Sequence, residues 1–598
     1  MRVAHHLAAV IAFGVIASGL SAQIPDSLPR DSVPQDTVDQ TARFLEARAL
    51  EAEDVGVFPL VGSHGVRSPG SRIVFTRDSI DWANAQTLGD LLSQVPGVFL
   101  WRGGWIGRPE LPNYQARGAA SVEYFLDGLP FLSVGQDSLS VDPVLISLSL
   151  LERIDVEQWP GLLRVRLFTR RHNRLAARSR IGIATGDDDV ARYDGALERR
   201  FKSGLGFSLA ADFLSAPTAS GVASDHEQTQ YWLRVGYLPS PHFGVQAQLL
   251  RTEPKRDPFL GISQTDTIGS SLEGKRSDYQ VRLFSRRGPD ERPLHVDVLL
   301  GRTTWDGSGV TQTVDRYGAT VAYRAPTLSL GVSAFGASRW TTLELGSEAG
   351  WSPVEGLSFH AEGHYGRHDA DRSSTWVGLG AGVRLPLGVI LSGSARIGSV
   401  VATPALDADS AQDLRDVRVS VGWHGKRLGV EVGVSRTAAF QPRAFQPFLA
   451  VASLAAVPET EWLTAAVRVA PFSWLTLAGW YSDPRGASVP DGQPPQHMVG
   501  KATIRSGFLR KFPSGTFDLK LELTVERWGT GVLGRDGAGA AIVHPGATLL
   551  RGLAQIQLGR LHIFYDRYNF QGSNAAYVPG FAVPTFNTTW GVRWEFLN

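Results

Sequence analysis

The chain has 598 residues, with 59 Lys and Arg against 58 Asp and Glu, so its net charge of +1 offers no one-signed field for nucleic acid. It has no cysteine, which excludes disulfides, thiol chemistry and cysteine-ligated metals. Its 65 glycines, 16 tryptophans and 10% aromatic content suit many tight turns and interfacial side chains better than a helical enzyme.

At the start, Arg2 precedes an apolar run from Leu7 to Ala17, followed by the small residues Ser18, Gly19, Ser21 and Ala22. That layout predicts a signal peptide over residues 1–22, because the run is too short to cross about 30 Å of hydrocarbon. Residues 23–65 read as a linker: IPDSLPRDSVPQDTVDQ is polar and flexible, and TARFLEARALEAED has the spacing of a short amphipathic helix. Residues 66–171 read as a small α/β domain. SRIVFT (71–76) is a strand, residues 78–95 hold two short helical stretches, and PGVFLW (96–101) starts another strand. VEYFLDGLPF (122–131) reads as strand, Asp-Gly turn, strand, and LSLLERIDVEQWP (148–160) as a helix entering a strand.

From 172 to 598 the pattern is strand after strand with period two. FDLKLELTVE (517–526) sets Phe517, Leu519, Leu521, Leu523 and Val525 against Asp518, Lys520, Glu522, Thr524 and Glu526. Segments of about ten residues with this alternation fit strands tilted across a bilayer. Tight connections such as FKSGLG (201–206), HGKRL (424–428), FPSGT (512–516) and LGRL (558–561) alternate with generally longer polar ones such as 398–414, 437–459 and 529–546. The expected fold is an all-β transmembrane barrel of about 22 antiparallel strands, with the N-terminal α/β domain as a plug in its lumen. A soluble sandwich would not feed so many strands into one core, and no blade-length repeat marks a propeller. The last strand, FNTTWGVRWEFLN (586–598), should turn Trp590, Trp594 and Phe596 to lipid and Arg593 and Glu595 to the lumen, pairing with RSRIGIAT to close the wall.

The domain at 66–171 resembles the plug of TonB-dependent outer-membrane receptors. AQTLGDLLSQVPGVFL resembles the first plug element. In YQARGAASVEYFLDGLPF, Arg117-Gly118 and Asp127-Gly128-Leu129-Pro130 match the family's Arg-Gly and Asp-Gly-x-Pro positions. In SLSLLERIDVEQWPG, Glu152 and Arg153 lead into a strand ending at Pro160-Gly161. The resemblance implies an outer-membrane receptor of a Gram-negative-type bacterium that binds a scarce solute and imports it when TonB, driven by the inner-membrane proton gradient, pulls on the plug. It implies a monomer assembled by the outer-membrane machinery into lipid, with a siderophore, cobalamin or glycan as the class of solute. The plug-motif residues Arg117, Gly118, Asp127, Gly128, Pro130, Glu152 and Arg153 would hold the plug together and lodge it, and none would be catalytic. Two departures stand out. The family's Tyr-Gly-x-x-Ala-x-Gly-Gly-Val-Ile-Asn-Ile segment is replaced by LLRVRLFTRR (162–171), which shortens or rebuilds the last plug strand. The segment that would pair with TonB by strand addition has two candidates, Asp36-Thr37-Val38 and Asp54-Val55-Gly56-Val57, of which Asp54, Val55 and Val57 carry side chains. A plugged barrel without energy coupling, serving as a surface binding or structural protein, is the alternative.

For the solute, WRGGWIGRPELPNY (101–114) offers Trp101, Arg102, Trp105, Arg108 and Tyr114 as stacking faces and cationic donors, or as wedges between plug and wall. His360, Glu362, His364 and His368 share one strand face, but His360 and His364 would lie about 13 Å apart, too far for one ion near 2 Å from each ligand. A solvated lumen row is expected, with no metal or cofactor. GLGAG (378–382) reads as a strand whose small residues ease packing rather than a phosphate loop. No nucleophile or paired-carboxylate pattern stands out, so no enzyme activity is expected.

Overall fold

The computed structural model describes residues 54–597 except 62–65, 68–69, 105, 136–138, 217–224, 259–268, 290–291 and 487–488. The expected signal peptide, Asp36-Thr37-Val38 and Trp105 therefore lie outside the described residues.

The plug builds a five-stranded mixed sheet from β1 (Arg72–Thr76), β4 (Val122–Leu126), β5 (Leu129–Pro130), β6 (Leu151–Trp159) and β7 (Leu162–Thr169), in the order β1-β6-β7-β4-β5. A separate hairpin joins β2 (Val98–Arg102) to β3 (Glu110–Tyr114). Helix α1 (Arg77–Ala83) starts at Thr76 and α2 (Leu88–Leu92) at Thr87, each threonine accepting from the amide three residues on in a capping box. Leu88, Leu91 and Leu92 of α2 bury fully against Ile154, Val156, Leu163, Val165 and Leu167 of the sheet. Residues 148–150 form one 3-10 turn ahead of β6. The rebuilt stretch 162–171 supplies β7, which runs antiparallel to β6 and parallel to β4. A two-residue turn, Pro160-Gly161, joins β6 to β7, and Gly161 at φ 71° lets it close between Trp159 and Leu162.

Around this plug the remaining strands close into an antiparallel barrel of 22 wall strands. The seam pairs Asn587–Leu597 with Arg178–Gly186, from Thr589 opposite Gly186 to Leu597 opposite Arg178, so the sheet has no free edge. Facing follows the alternation. Leu521, Leu523 and Val525 are exposed on the outside while Lys520 is buried within, and Trp590 and Trp594 point outward while Arg593 reaches the plug. A wall apolar outside and polar inside is the inverse of a soluble sandwich and is the arrangement of a barrel in hydrocarbon. No helix among the described residues is long and apolar enough to cross a membrane.

The rim that holds the start of the first strand and the end of the last is the inner rim. Most inner connections are tight, such as 201–204, 355–356, 425–427 and 559–560, while the outer rim carries 402–410, 438–459, 486–496, 529–546 and 569–586. Two expectations need correction. FPSGT belongs to a longer inner connection, 507–516, that folds through several turns. The outer connections 187–190, 308–309, 338–340 and 369–372 are as short as inner ones, since Asp188, Ser308, Trp340 and Ala370 take positive φ and turn the chain within a few residues.

Candidate functional site

The plug-motif residues are fastening points. Arg117 donates to Asp416 of the wall at 2.7 Å, with the two side chains 3% and 0% exposed. Gly118 sits at φ 57° with an added Cβ 2.4 Å from the Arg443 carbonyl, a position only glycine fits. Asp127, also at positive φ, accepts from the Thr169 amide at 3.0 Å and hydroxyl at 2.6 Å, which ties the β4–β5 turn to the end of β7. Gly128 makes room for Val61, and the Pro130 carbonyl accepts from Arg316. Glu152 pairs with Arg171 at 3.0 Å and Arg153 with Asp155 at 2.6 Å.

The β2–β3 hairpin rises into the outer connections. Trp101 is fully buried, packed edge-on against Phe445 at 5.0 Å and near Phe448 at 5.8 Å, and its indole N–H donates to the Gly492 carbonyl at 2.9 Å. Arg102 is clasped by Asp90 and by Glu110 at 2.8 Å. Burial, with Asp90 nearby, pushes the Glu110 carboxyl up to about 7 against the pull of Arg102. Arg108 is buried, and burial beside Arg256 draws its guanidinium down to about 10. Tyr114 lies in the plug core against Gly97. The structure thus places Trp101, Arg102 and Tyr114 on the hairpin strands with different buried partners, and Arg108 in the connection between those strands.

The second cluster of interest is a cavity of about 270 Å³ between the plug and one sector of the wall, running from the strand Val310–Arg324 to the strand Ala411–His424. Arg117, Arg316 and Arg396 give it a cationic side, Glu123 and Glu344 an acidic one, and Trp340, Trp376 and Phe440 aromatic faces. It extends to Thr403 and Pro404 in the outer connection 402–410. Buried Arg396 lies over the Trp376 ring at 4.9 Å and donates to the Pro160 carbonyl. The shape and mixed lining suit a compact organic solute. None of Arg316, Arg396, Trp340 or Trp376 was singled out from sequence. The available signal was a run of small lumen-facing residues on neighbouring strands, Gly331, Ser333 and Gly346, which leaves space where long side chains would fill it.

The lumen row is divided among separate partners. Glu362 holds Arg164 of the plug at 2.9 Å and His360 at 3.3 Å, His364 stacks on Trp376 at 5.1 Å, and His368 contacts Thr341 and Ser374. Within GLGAG, Gly378 admits Trp159 of the plug, whose ring would lie 2.9 Å from an added Cβ.

At the inner rim, Asp54 bridges Arg174 and the Val55 amide donates to the Asn173 carbonyl at 2.7 Å, so this segment lies as a short antiparallel partner beside the link from plug to barrel. The Gly56 carbonyl accepts from Arg200, Val57 lies near Arg171, and Phe58 buries against Leu238 and Phe284.

Residues 66–161 match the family model of the TonB-dependent receptor plug domain. No curated protein matches the chain. Among solved structures, the ferric enterobactin receptor PfeA of Pseudomonas aeruginosa, in mutant form, is similar with a TM-score of 0.67 at 10% identity over 89% of this chain and 98% of that one. The siderophore receptor PirA of Acinetobacter baumannii gives 0.65 at 9% identity over 88% and 98%, and the FrpB iron transporter of Neisseria meningitidis 0.66 at 10% over 88% and 99%. At these identities the likeness is one of fold.

Proposed function

The chain has the plug and the 22-stranded barrel of the TonB-dependent receptor family, and from that premise we propose that it is an outer-membrane receptor importing a scarce solute by TonB-driven rearrangement of the plug. The observation that carries the coupling is the segment Asp54–Val57. It stands ahead of the plug at the inner rim, already in extended pairing with Asn173 and Arg174, where a partner strand from the periplasm would exchange with it. Solute enters from the outer connections and settles in the cavity beside Arg117, Arg396 and Trp376, and the β2–β3 hairpin holds those connections in place. The relatives of like fold are siderophore and iron receptors by name; a solute of that kind, a cobalamin or a glycan fragment is the range to search. Lipid surrounds the wall, the assembly machinery inserts it through the C-terminal strand, and the working unit is the monomer.

Val55→Pro removes the amide that donates to Asn173, and deletion of residues 23–57 removes the contact altogether. Both should abolish uptake of whichever solute restores growth to a deletion strain under limiting iron, cobalamin or glycan, with the barrel still folded. Undiminished uptake in both would overturn the coupling. One observation favours the second reading, a plugged barrel without coupling: the segment is docked on its own chain rather than free. On that reading both variants leave solute binding and surface function unchanged.

A further inference from the structure

We infer that solute crosses along one side of the plug, by a passage already outlined in the closed molecule, and that Phe125, Phe335 and Trp376 form its neck. The inference rests on the importer reading and adds the route. Beneath the 270 Å³ cavity lies a second of about 120 Å³, and the two share Phe125, Phe335, Glu344, His364 and Trp376. The upper one extends to Thr403 in an outer connection; the lower one extends to Val61 and to Arg324, which adjoins the inner turn 325–327. Together they trace a line from rim to rim between the β4–β7 edge of the plug sheet and the wall strands Val310–Arg324 to Ser373–Arg384.

The wall explains the gap. In this sector the lower cavity is lined by Thr320, Gly331, Ser333 and Gly346, side chains too short to reach the plug. Elsewhere long polar side chains span the interval and hold the plug. Lys520 donates to the Trp82 carbonyl at 2.7 Å, Gln555 to Asp81 at 2.8 Å, Arg593 to Asn84 at 2.8 Å, Arg192 to Gln86 at 2.6 Å and Arg276 to Leu132 at 2.7 Å. Expelling the plug as a body would sever all of these together. Opening the neck needs rotation of three rings and release of the plug-to-wall ion pair of Arg164 with Glu362 at 2.9 Å, while the Arg316 and Arg396 contacts to the Pro130 and Pro160 carbonyls border the upper cavity. Arg67, at the entry to the plug, pairs with Glu348 at 2.8 Å and lies 3.6 Å from both Glu157 and Glu362. A pull on the chain ahead of the plug therefore reaches the wall carboxylates Glu348 and Glu362 below the neck, together with Glu157 of β6, before it reaches β1.

Two measurements on the purified full chain in proteoliposomes test the route without TonB or a gradient. Phe125→Ala with Phe335→Ala should raise swelling in L-arabinose at least about tenfold over the parent, as a plugged lumen becomes a water-filled one. Trp82→Ala with His562→Ala, which removes an aromatic contact on the clamped side, should stay tight. Adding Gly331→Trp to the leaky variant should seal it again. Because the chain has no cysteine, access can also be read without truncating the neck. A single thiol from Ser333→Cys should react with a small maleimide at least about tenfold faster than one from Thr252→Cys, which lies buried on the clamped wall. Equal reactivity at the two sites, or equal swelling from the two double variants, would overturn the route. Either failure leaves the coupling experiment standing, and gradient-independent uptake would leave the route standing.

Discussion

The ion pair between Arg117 of the plug and Asp416 of the wall gives the sharpest energetic prediction. Their side chains are 3% and 0% exposed at a contact of 2.7 Å, so solvent screens the pair little. Arg117→Met leaves the Asp416 carboxylate buried against the Ala438 amide without its guanidinium partner, and Asp416→Leu leaves the guanidinium over the Phe440 ring without its counter-ion. Breaking one partner of such a pair costs about 3–5 kcal/mol, whereas replacing both by apolar residues is close to neutral. At 1.4 kcal/mol per decade, either single variant should speed amide exchange in plug peptides spanning 113–122 and 159–165 by about two to three and a half decades. The double variant should return most of that protection. The assay is hydrogen exchange with mass spectrometry in micelles, under conditions where exchange reports the opening equilibrium. If both single variants stay within about fivefold of the parent, the pair is worth no more than about 1 kcal/mol, as an exposed one would be, and the fastening role is refuted.

Trp101→Ala removes a fully buried indole and should cost about 3–5 kcal/mol locally; the outer connection 438–459, which packs on it, should be nicked faster by protease, and unchanged nicking would contradict the packing. Glu110 has its folded pKa raised from 4.5 to about 7 by burial, so the folded plug holds a proton there that the unfolded chain has lost. Its contribution to plug stability is therefore largest below about 4.5 and falls as pH rises to about 7. Exchange protection of the β2–β3 hairpin should drop between pH 5 and about 7 in the parent more than in Glu110→Gln; equal slopes would exclude Glu110 as the cause. Val419 is 61% exposed on the outer wall, and Val419→Arg should lower stability in a lipid refolding titration by about 2–4 kcal/mol if that position sits at mid-bilayer. A loss under about 0.5 kcal/mol would mean that this face does not meet hydrocarbon.

Period-two alternation carried most of the barrel. Leu521, Leu523 and Val525 could be set outward from the chain alone because every second side chain of a strand shares a face. The seam was legible too, since a final strand with Trp590 and Trp594 on one face and Arg593 on the other has one way to close the sheet. Helices α1 and α2 were legible as two short helical stretches within 78–95, while the capping threonines Thr76 and Thr87 that start them came from the structure. The partners of the β2–β3 hairpin were not: Phe445 and Gly492 lie hundreds of residues from Trp101, and only closure of the barrel brings them together. The lateral cavity was hidden for a related reason. Gly331 and Gly346 each look like ordinary strand glycines, and their common face with Ser333 over one edge of the plug emerges only from the register of neighbouring strands. The short outer connections escaped because a turn with Ser308 or Trp340 at positive φ carries weaker turn chemistry than Asn-Gly or Asp-Gly.

The central claim is energy-coupled import, and the most direct measurement is accumulation of the growth-restoring solute in cells producing this chain, before and after a protonophore collapses the inner-membrane gradient. The account predicts that surface binding persists while accumulation stops, and that Val55→Pro cells behave like collapsed ones from the outset. Accumulation that continues at the same rate without the gradient would contradict it.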